Sequence, residues 1–305
     1  MLLKFARAII ANTIYLPFEL LVLSSTFRLM TADGLFIPLL ILHRLESQIE
    51  LDACDCRFSS AVALWEGGPL MNALLCRVGA DQSLNGGSWN GLVDSKTGKF
   101  VYVAIPEGRQ VHAGLEKPYS ALAPLISDYG RDLPHHLHPR HMHLYPDFDY
   151  LTYGDQGERA KQLRANLGAG DLLVFYAGLT DIHAKALVYA IIGLYVIENI
   201  MLATGLPLAA RHTNAHSRRI LQPDAQDLIV RGRPGVSGRL ERCQPIGDYR
   251  EKAYRVRPDI LEEWGGLSVK NGYLQRSARL PQFLDPERFQ RWFNRRNPVW
   301  LQTNN

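Results

Sequence analysis

The stretch densest in groups able to do chemistry is Pro134-His135-His136-Leu137-His138-Pro139-Arg140-His141-Met142-His143-Leu144-Tyr145-Pro146-Asp147-Phe148-Asp149-Tyr150, with five histidines and two carboxylates inside fifteen residues. Imidazole titrates near neutral pH and a neighbouring carboxylate tunes it, so such a set can move protons. It could also ligate a metal. Repeated His-x-His in a loop does not converge on one centre, however, and metal ligands usually come from separate rigid elements, so no metal is expected. His143, Asp147 and Asp149 are the best proton-handling candidates because they adjoin the Tyr153-Gly154-Asp155 turn, and Tyr153 joins them. Asp155 reads as a helix cap rather than a catalyst.

A second constellation is rich in arginine. Between Arg218 and Arg257 there are ten basic and five acidic residues. Its centre is Arg231-Gly232-Arg233-Pro234-Gly235-Val236-Ser237-Gly238-Arg239. Here guanidinium forks of Arg231, Arg233 and Arg239, with backbone N–H groups and Ser237, could converge on a phosphate. Such contacts give affinity without sequence information. The alternative is a solvated basic face held by internal ion pairs.

A third is Trp264-Gly265-Gly266-Leu267-Ser268-Val269-Lys270-Asn271-Gly272-Tyr273-Leu274-Gln275-Arg276. Asn271-Gly272 is a two-residue hairpin signal. Lys270, Tyr273 and Arg276 near its tip could touch a nucleic acid, with Tyr273 stacking on a base; the competing assignment places Tyr273 in the core. Asn214 and His216, in an arginine-flanked loop, could add polar contacts. Trp89, in a loop of turn formers, is a further stacking candidate. No Walker loop, Rossmann fingerprint, nucleophile elbow or His-Glu-x-x-His is present, which disfavours a nucleotide kinase, an ordinary dehydrogenase and a zinc protease. Nothing in the sequence names a cofactor.

The elements that must position these groups are legible in places. Residues 73–78 predict a strand, residues 94–99 a turn, and residues 100–105 a second strand. Residues 106–146 carry many breakers and predict only a short helix near residues 119–126. Asp155 with Glu158 predicts a capped helix through Ala160, Leu163 and Leu167, ended by Gly168 and Gly170. Two buried strands follow over residues 172–177 and 187–197, and Gly193 inside the second predicts a bulge or a close backbone approach. Asp285-Pro286 opens the clearest helix, with Phe289, Trp292 and Phe293 as its buried face and Leu284 stapled onto Phe289.

The whole chain has 305 residues, 47% hydrophobic and 21% charged, with a net charge of +4. That excludes a disordered, collagenous or coiled-coil protein and permits a nucleic-acid partner. The four cysteines, Cys54, Cys56, Cys76 and Cys243, contain no Cys-x-x-Cys pair. Reduced thiols in a cytoplasmic protein are expected. Residues 1–70 carry a net charge of −2, against +6 for 71–305. Their apolar stretches are broken by Asn12, Pro17 and Pro38 and fall short of a membrane span; an interfacial amphipathic segment is the alternative. Met71 opens directly onto a strand pattern. The expectation is therefore that 1–70 is an upstream extension outside the native protein, or a poorly ordered segment, and that 71–305 is the domain.

Several runs together carry a resemblance: residues 100–107, Pro146 to Asp155, Gly170 to Gly178, and Leu228 through Arg242. These resemble the nucleotide-modification-associated domain of the third type, over nearly all of 71–305. The resemblance implies a setting, often viral or prokaryotic, in which modified DNA bases are installed or handled. It implies no mechanism, and the histidine-rich run of 134–143 departs from the family's usual pattern. The order helix, Gly-Asp, buried strand, long hydrophobic strand is also similar to base-reading PUA-like barrels. The expected protein is thus α+β, a mixed or PUA-like barrel-type sheet with peripheral helices. Its expected partner is DNA or a nucleotide, with other base-modification enzymes alongside, and its role is base-modifying enzyme, reader of modified bases or scaffold. The start at Met71 predicts a shortened intact mass for the protein purified from its own host; a mass matching all 305 residues overturns it.

Overall fold

A computed structural model describes residues 28–30, 36–38, 71–80, 89–274 and 278–305. The chain divides between Gly67 and Gly68 into two units. In the first, β1 (Arg28–Met30) and β2 (Phe36–Pro38) pair antiparallel, with Leu29 opposite Ile37. In the second, the strands in chain order are β3 (Ala73–Arg77), β4 (Gly91–Val93), β5 (Ile105–Pro106), β6 (Met142–His143), β7 (Thr152–Asp155), β8 (Leu172–Asp181), β9 (Leu187–Leu202), β10 (Leu228–Gly232), β11 (Gly238–Pro245), β12 (Gly247–Arg250), β13 (Ala253–Val256) and β14 (Trp300–Leu301).

Eight of these form one mixed sheet around the long β9. One edge of β9 pairs with β8, which in turn takes β3 and β4 in parallel. The other edge takes β11 along its first half and β10 along its second. β14 and β7 then continue outward from β11 and β10. Ribbons β5–β6 and β12–β13 stand apart. The large mixed sheet with a few short helices is α+β, as the sequence predicts. The barrel expectation is corrected: no closed barrel forms among the described residues.

Strict alternation along β8 explains why both of its sides are buried. Leu173, Phe175, Ala177 and Leu179 join one apolar cluster, and Leu172, Val174 and Tyr176 join the other. Side chains on a strand alternate faces, so a strand covered on both sides reads as a continuous apolar run. β9 alternates in the same way until the register shifts opposite Phe175 and Tyr176, with Gly193 at the shift. The shift reverses the phase, so that Tyr195 and Ile197 face the first cluster with Ala190 and Ile192. Gly193 is obligatory there. A Cβ at that position would lie 2.6 Å from the Phe148 ring and 2.7 Å from the Gly238 carbonyl. The bulge and close approach expected at Gly193 are both present.

The second cluster is organised by Trp264, whose ring meets Phe289 and Trp292 edge-on at 5.4 and 5.1 Å. The helix Pro286–Asn294 buries Phe289, Trp292 and Phe293, and the Asp285 carboxylate accepts from the Arg288 N–H at 2.9 Å. That end of the chain follows its local sequence signals. The expected staple does not form, because Leu284 is 63% exposed and Trp264 fills its place against Phe289.

Three other expectations are corrected. The strand over residues 100–105 is reduced to β5, although residues 101–104 are buried. Their backbone partners are not a ladder: Val101 N donates to Leu92 O, Val103 O accepts from Ala80 N, and the Asn305 side chain takes both polar groups of Tyr102. The helix Gly157–Asn166 has Gln156, not Asp155, at its cap, because Asp155 lies in β7 and its carboxylate is drawn into an ion pair with Arg159. Asn271 and Gly272 do adopt left-handed backbone angles. Their flanks do not pair with each other, since Tyr273 bridges to Arg255 and Leu267 to Phe283.

The C-terminal residues close the domain. Asn304 accepts from Phe148 N at 2.8 Å and donates to Asp147 at 2.8 Å, and Asn305 brackets Tyr102. Buried backbone groups without partners are costly. Asn304→Gly with Asn305→Gly should therefore lose roughly 2–4 kcal/mol in urea unfolding, and an unchanged midpoint would refute the clamp.

Candidate functional site

The β5–β6 ribbon sets Ile105 opposite His143, and the pairing extends one step further through the Glu107 N–H to His141 O. Alternate residues share a face, so Glu107 reaches the His143 ring, with Nδ1 2.5 Å from Oε2. His216 arrives from another part of the chain, on the short helix Ala215–Arg218. Asn214 caps that helix by accepting from the His216 N–H at 2.8 Å, and its own amide donates to Thr152 Oγ1 of β7 at 3.1 Å. The helix can lie this close to β7 because residue 154 is glycine. A Cβ there would sit 2.4 Å from the His216 ring and 2.5 Å from Asn214 Oδ1.

The outcome is a chain of four buried groups. Glu107 meets His143, the two Nε2 atoms of His143 and His216 face each other at 3.2 Å, and His216 Nδ1 meets Asp227 Oδ1 at 2.5 Å. Arg219 spans the carboxylates. Its Nε and Nη2 donate to Glu107 at 3.0 and 2.9 Å, and its Nη1 is 4.0 Å from Asp227. Burial by itself pushes the Glu107 carboxyl up, but hydrogen bonds from His143 and Arg219 hold it down at about 2. Asp227 is likewise lowered against its burial, by His216 and Arg219. Burial drives His143 down to about 3, reinforced by the charges of His216 and Arg219 and opposed by Glu107.

A second polar group lies behind Arg159, on the first turn of the helix Gly157–Asn166. Its Nη2 donates to Cys76 Sγ and to the Tyr153 hydroxyl, both at 2.9 Å, and its Nε lies 3.0 Å from Asp155. Tyr153 donates to the same carboxylate at 2.5 Å. Burial raises the Cys76 thiol and raises Tyr153 well above the usual phenol range. Neither is poised as a nucleophile.

Arg159 also forms part of the wall of a cavity at the end of β3. Arg77, Arg279, Tyr145, Tyr176 and Tyr273 share that wall with apolar residues, and no acidic residue is among the described lining. Tyr145 separates the cavity from the histidines. Its ring centroid is 4.6 Å from that of His143, 6.1 Å from His216 and 5.7 Å from Tyr153.

The structure therefore gathers His143, His216, Asn214, Tyr153 and Tyr273 into one region. Other candidates lie elsewhere. Asp147 is fully buried, ion-paired with Arg218 and bonded to Asn304, and burial raises its carboxyl despite Arg218. Asp149 is exposed and accepts from the Asn304 N–H. Both brace the C-terminal clamp. The arginine tract does not converge as expected. Ser237 is engaged by both backbone groups of Val196, and Arg239 is buried over the Phe100 ring with its Nε on Thr303 O. Arg231 is exposed on β10, 3.8 Å from Glu198, and Arg233 is exposed in the β10–β11 connection. Lys270 is exposed and its carbonyl accepts from Arg255. Trp89 is half-buried against the cluster around Leu92 and Val101. Arg276 lies outside the described residues.

Sequence reasoning missed Glu107, Asp227, Arg219, Arg77, Arg159, Arg279 and Tyr145 as site residues. The one available signal was Glu107, which closes the apolar run from Phe100. Cys76 and Cys243 are free and buried. Among the described residues, no three His, Cys, Asp or Glu side chains are grouped to hold a metal ion, and no helix is long and apolar enough to cross a membrane.

The sequence matches the family described as nucleotide modification associated domain 3 over residues 72–303. The chain belongs to that family. No curated protein and no solved structure matches. The match embraces the whole sheet of the second unit and every residue of the histidine chain and the cavity wall, so the family context applies to both together.

The depressed His143 makes a pH prediction with a definite sign. Unfolded, the ring takes a proton near pH 6.5; folded, it does so only at about 3. The unfolded state binds more protons between those values, so stability should rise with pH across that window. Glu107 adds in the same direction below about 4.5. Urea unfolding at steps from pH 4 to 7 should show a shallower slope in His143→Gln than in the parent; parallel curves would contradict the assignment.

Proposed function

We propose that the chain binds a nucleotide unit of DNA in the cavity between β3 and the Tyr273 segment, and so takes part in base modification. The observation that carries this reading is the wall itself, with three guanidinium groups and three tyrosine rings around one recess. Arginine forks match phosphate oxygens two at a time. Tyrosine rings stack on bases with little sequence preference. A recess, unlike an open groove, suits a base taken out of its stack. The family supplies the setting of nucleotide modification.

Two roles fit such a recess. As an enzyme, the protein would use the proton-handling set behind Tyr145, namely His143, His216 and Tyr153. As a reader of modified bases, it would use the recess alone. Burial favours the second role, because His143, His216, Tyr153 and Cys76 are all engaged with protein partners and none lines the recess. Comparing digested DNA nucleosides from the native host with and without the gene separates them. A nucleoside that vanishes or a precursor that accumulates marks a writer; an unchanged profile marks a reader or a scaffold.

Binding is tested with a fluorescent single-stranded oligonucleotide. Arg77→Ala with Arg279→Ala should weaken it at least tenfold at low salt and reduce the salt slope by about 1.4, from two lost phosphate contacts at roughly 0.7 each. Tyr273→Ala should cost about 1–3 kcal/mol. Arg231→Ala with Arg233→Ala on the same probe is the rival: a loss confined to that pair would move the site to the β10–β11 connection.

A further inference from the structure

Glu107 and Asp227 are ionised, and an ionised carboxylate only accepts hydrogen bonds. Each therefore requires a proton on the Nδ1 atom that faces it. With both Nδ1 atoms protonated, two neutral imidazoles would present bare Nε2 lone pairs to each other at 3.2 Å. Both rings are 2% exposed, so water does not relieve that repulsion. Charge points the same way. Glu107, Asp227 and Arg219 sum to one negative charge, which buried surroundings disfavour. One cation between the Nε2 atoms removes both problems.

We infer that this cation is a proton shared by His143 and His216, and that the charged pair is the lock that holds Tyr145 as the inner wall of the cavity. A single charge brings the four-residue chain with Arg219 to neutrality, whereas a divalent metal would leave an excess of positive charge beside a guanidinium. No third ligand stands near the two nitrogens among the described residues. The groups facing the pair come from four places: Glu107 after β5, Tyr145 after β6, Arg219 after the short helix, and Asp227 before β10, with Arg109 acting on Asp227; Tyr153 of β7 packs on Tyr145. Burial and the charge of His216 hold His143 at about 3, so the pair carries one proton and not two. Tyr145 packs on both rings, so losing the shared proton sets lone pair against lone pair directly behind the cavity wall. His143 and His216 are positioning residues in this arrangement, because they reach the cavity only through Tyr145. The effect on ligand rests on the reading of the cavity as a nucleotide site.

The test has two arms. In protein with ¹⁵N-labelled histidine at neutral pH, NMR should show both Nδ1 atoms protonated and one proton distributed over the two Nε2 atoms. Metal analysis of the same sample should show no stoichiometric transition metal. Two unprotonated Nε2 signals, or one equivalent of metal removable by a chelator, would overturn the shared proton. In the second arm, oligonucleotide affinity is followed as pH rises from 7 upward. The parent should weaken several-fold once the NMR signal of the shared proton is lost. His216→Gln keeps a donor toward His143 Nε2 without a titrating proton, so its affinity should show no step over the same pH range. A shared proton with affinity indifferent to its loss would overturn the lock. Absence of oligonucleotide binding at every pH would instead sink the reading of the cavity, with the NMR arm still deciding the proton.

Discussion

Five charged or chargeable groups are buried in contact at the meeting point of the β5–β6 ribbon, the 215–218 helix and the start of β10, and none could be there alone. An isolated buried carboxylate or imidazolium is too costly to keep. Glu107 is tolerated only because His143 and Arg219 bond to it, and Asp227 only because His216 does. The partners come from four separate stretches of chain. The cluster therefore forms only when all four are in place, and its completion fixes how the irregular segments dock on the sheet. The ribbon adds Ile105 and Met142 to the apolar clusters, and the polar contact joins it to the helix.

The sheet makes that docking possible through two glycines. Gly154 lets the helix carrying His216 lie against β7, and Gly193 lets Phe148 lie against β9. Phe148 follows directly on Asp147, which is itself held by Arg218 from the same short helix and by Asn304 from the C-terminus. Loop 144–151, the helix and the last residues are thus tied to one another around a pair of positions where any side chain would collide. Rigidity there is what a recess bounded by Tyr145 requires, because a binding wall is only as well placed as the groups behind it.

Much of the regular fold was legible because its causes are local. β3, β8 and β9 are continuous apolar runs, and the helix after Asp285 carries its own cap, its proline and its buried face. What sequence alone missed has non-local causes. The 100–105 run reads as a strand, yet its backbone partners include a side chain from residue 305. Asp155 reads as a cap, yet Arg159 and Tyr153 compete for the same oxygens and win, because a charged partner outweighs one backbone N–H. The candidate site divides in the same way. His143 and His216 were each identified as polar candidates, but they stand 73 positions apart, and Glu107 stands 36 before His143. No spacing rule connects such residues; only the ribbon register and the Gly154 contact do.

The arginines show why charge density along a sequence is a poor guide to charge in space. The tract from Arg218 to Arg257 holds most of the excess positive charge, yet the structure neutralises or covers it locally. Arg218 and Arg219 pair with buried acids, Arg239 covers Phe100, Arg250 pairs with Asp248 and Arg255 with Glu251. The arginines around the cavity come instead from β3, the 157–166 helix and the 278–281 segment, positions that no local window joins. A guanidinium can serve an incoming phosphate only where the fold places it beside an accessible space. The arginines at the recess have ties of their own, Arg159 to Asp155 and Arg77 to the Tyr189 hydroxyl, so what distinguishes them from the tract is the place the fold gives them, not a lack of partners.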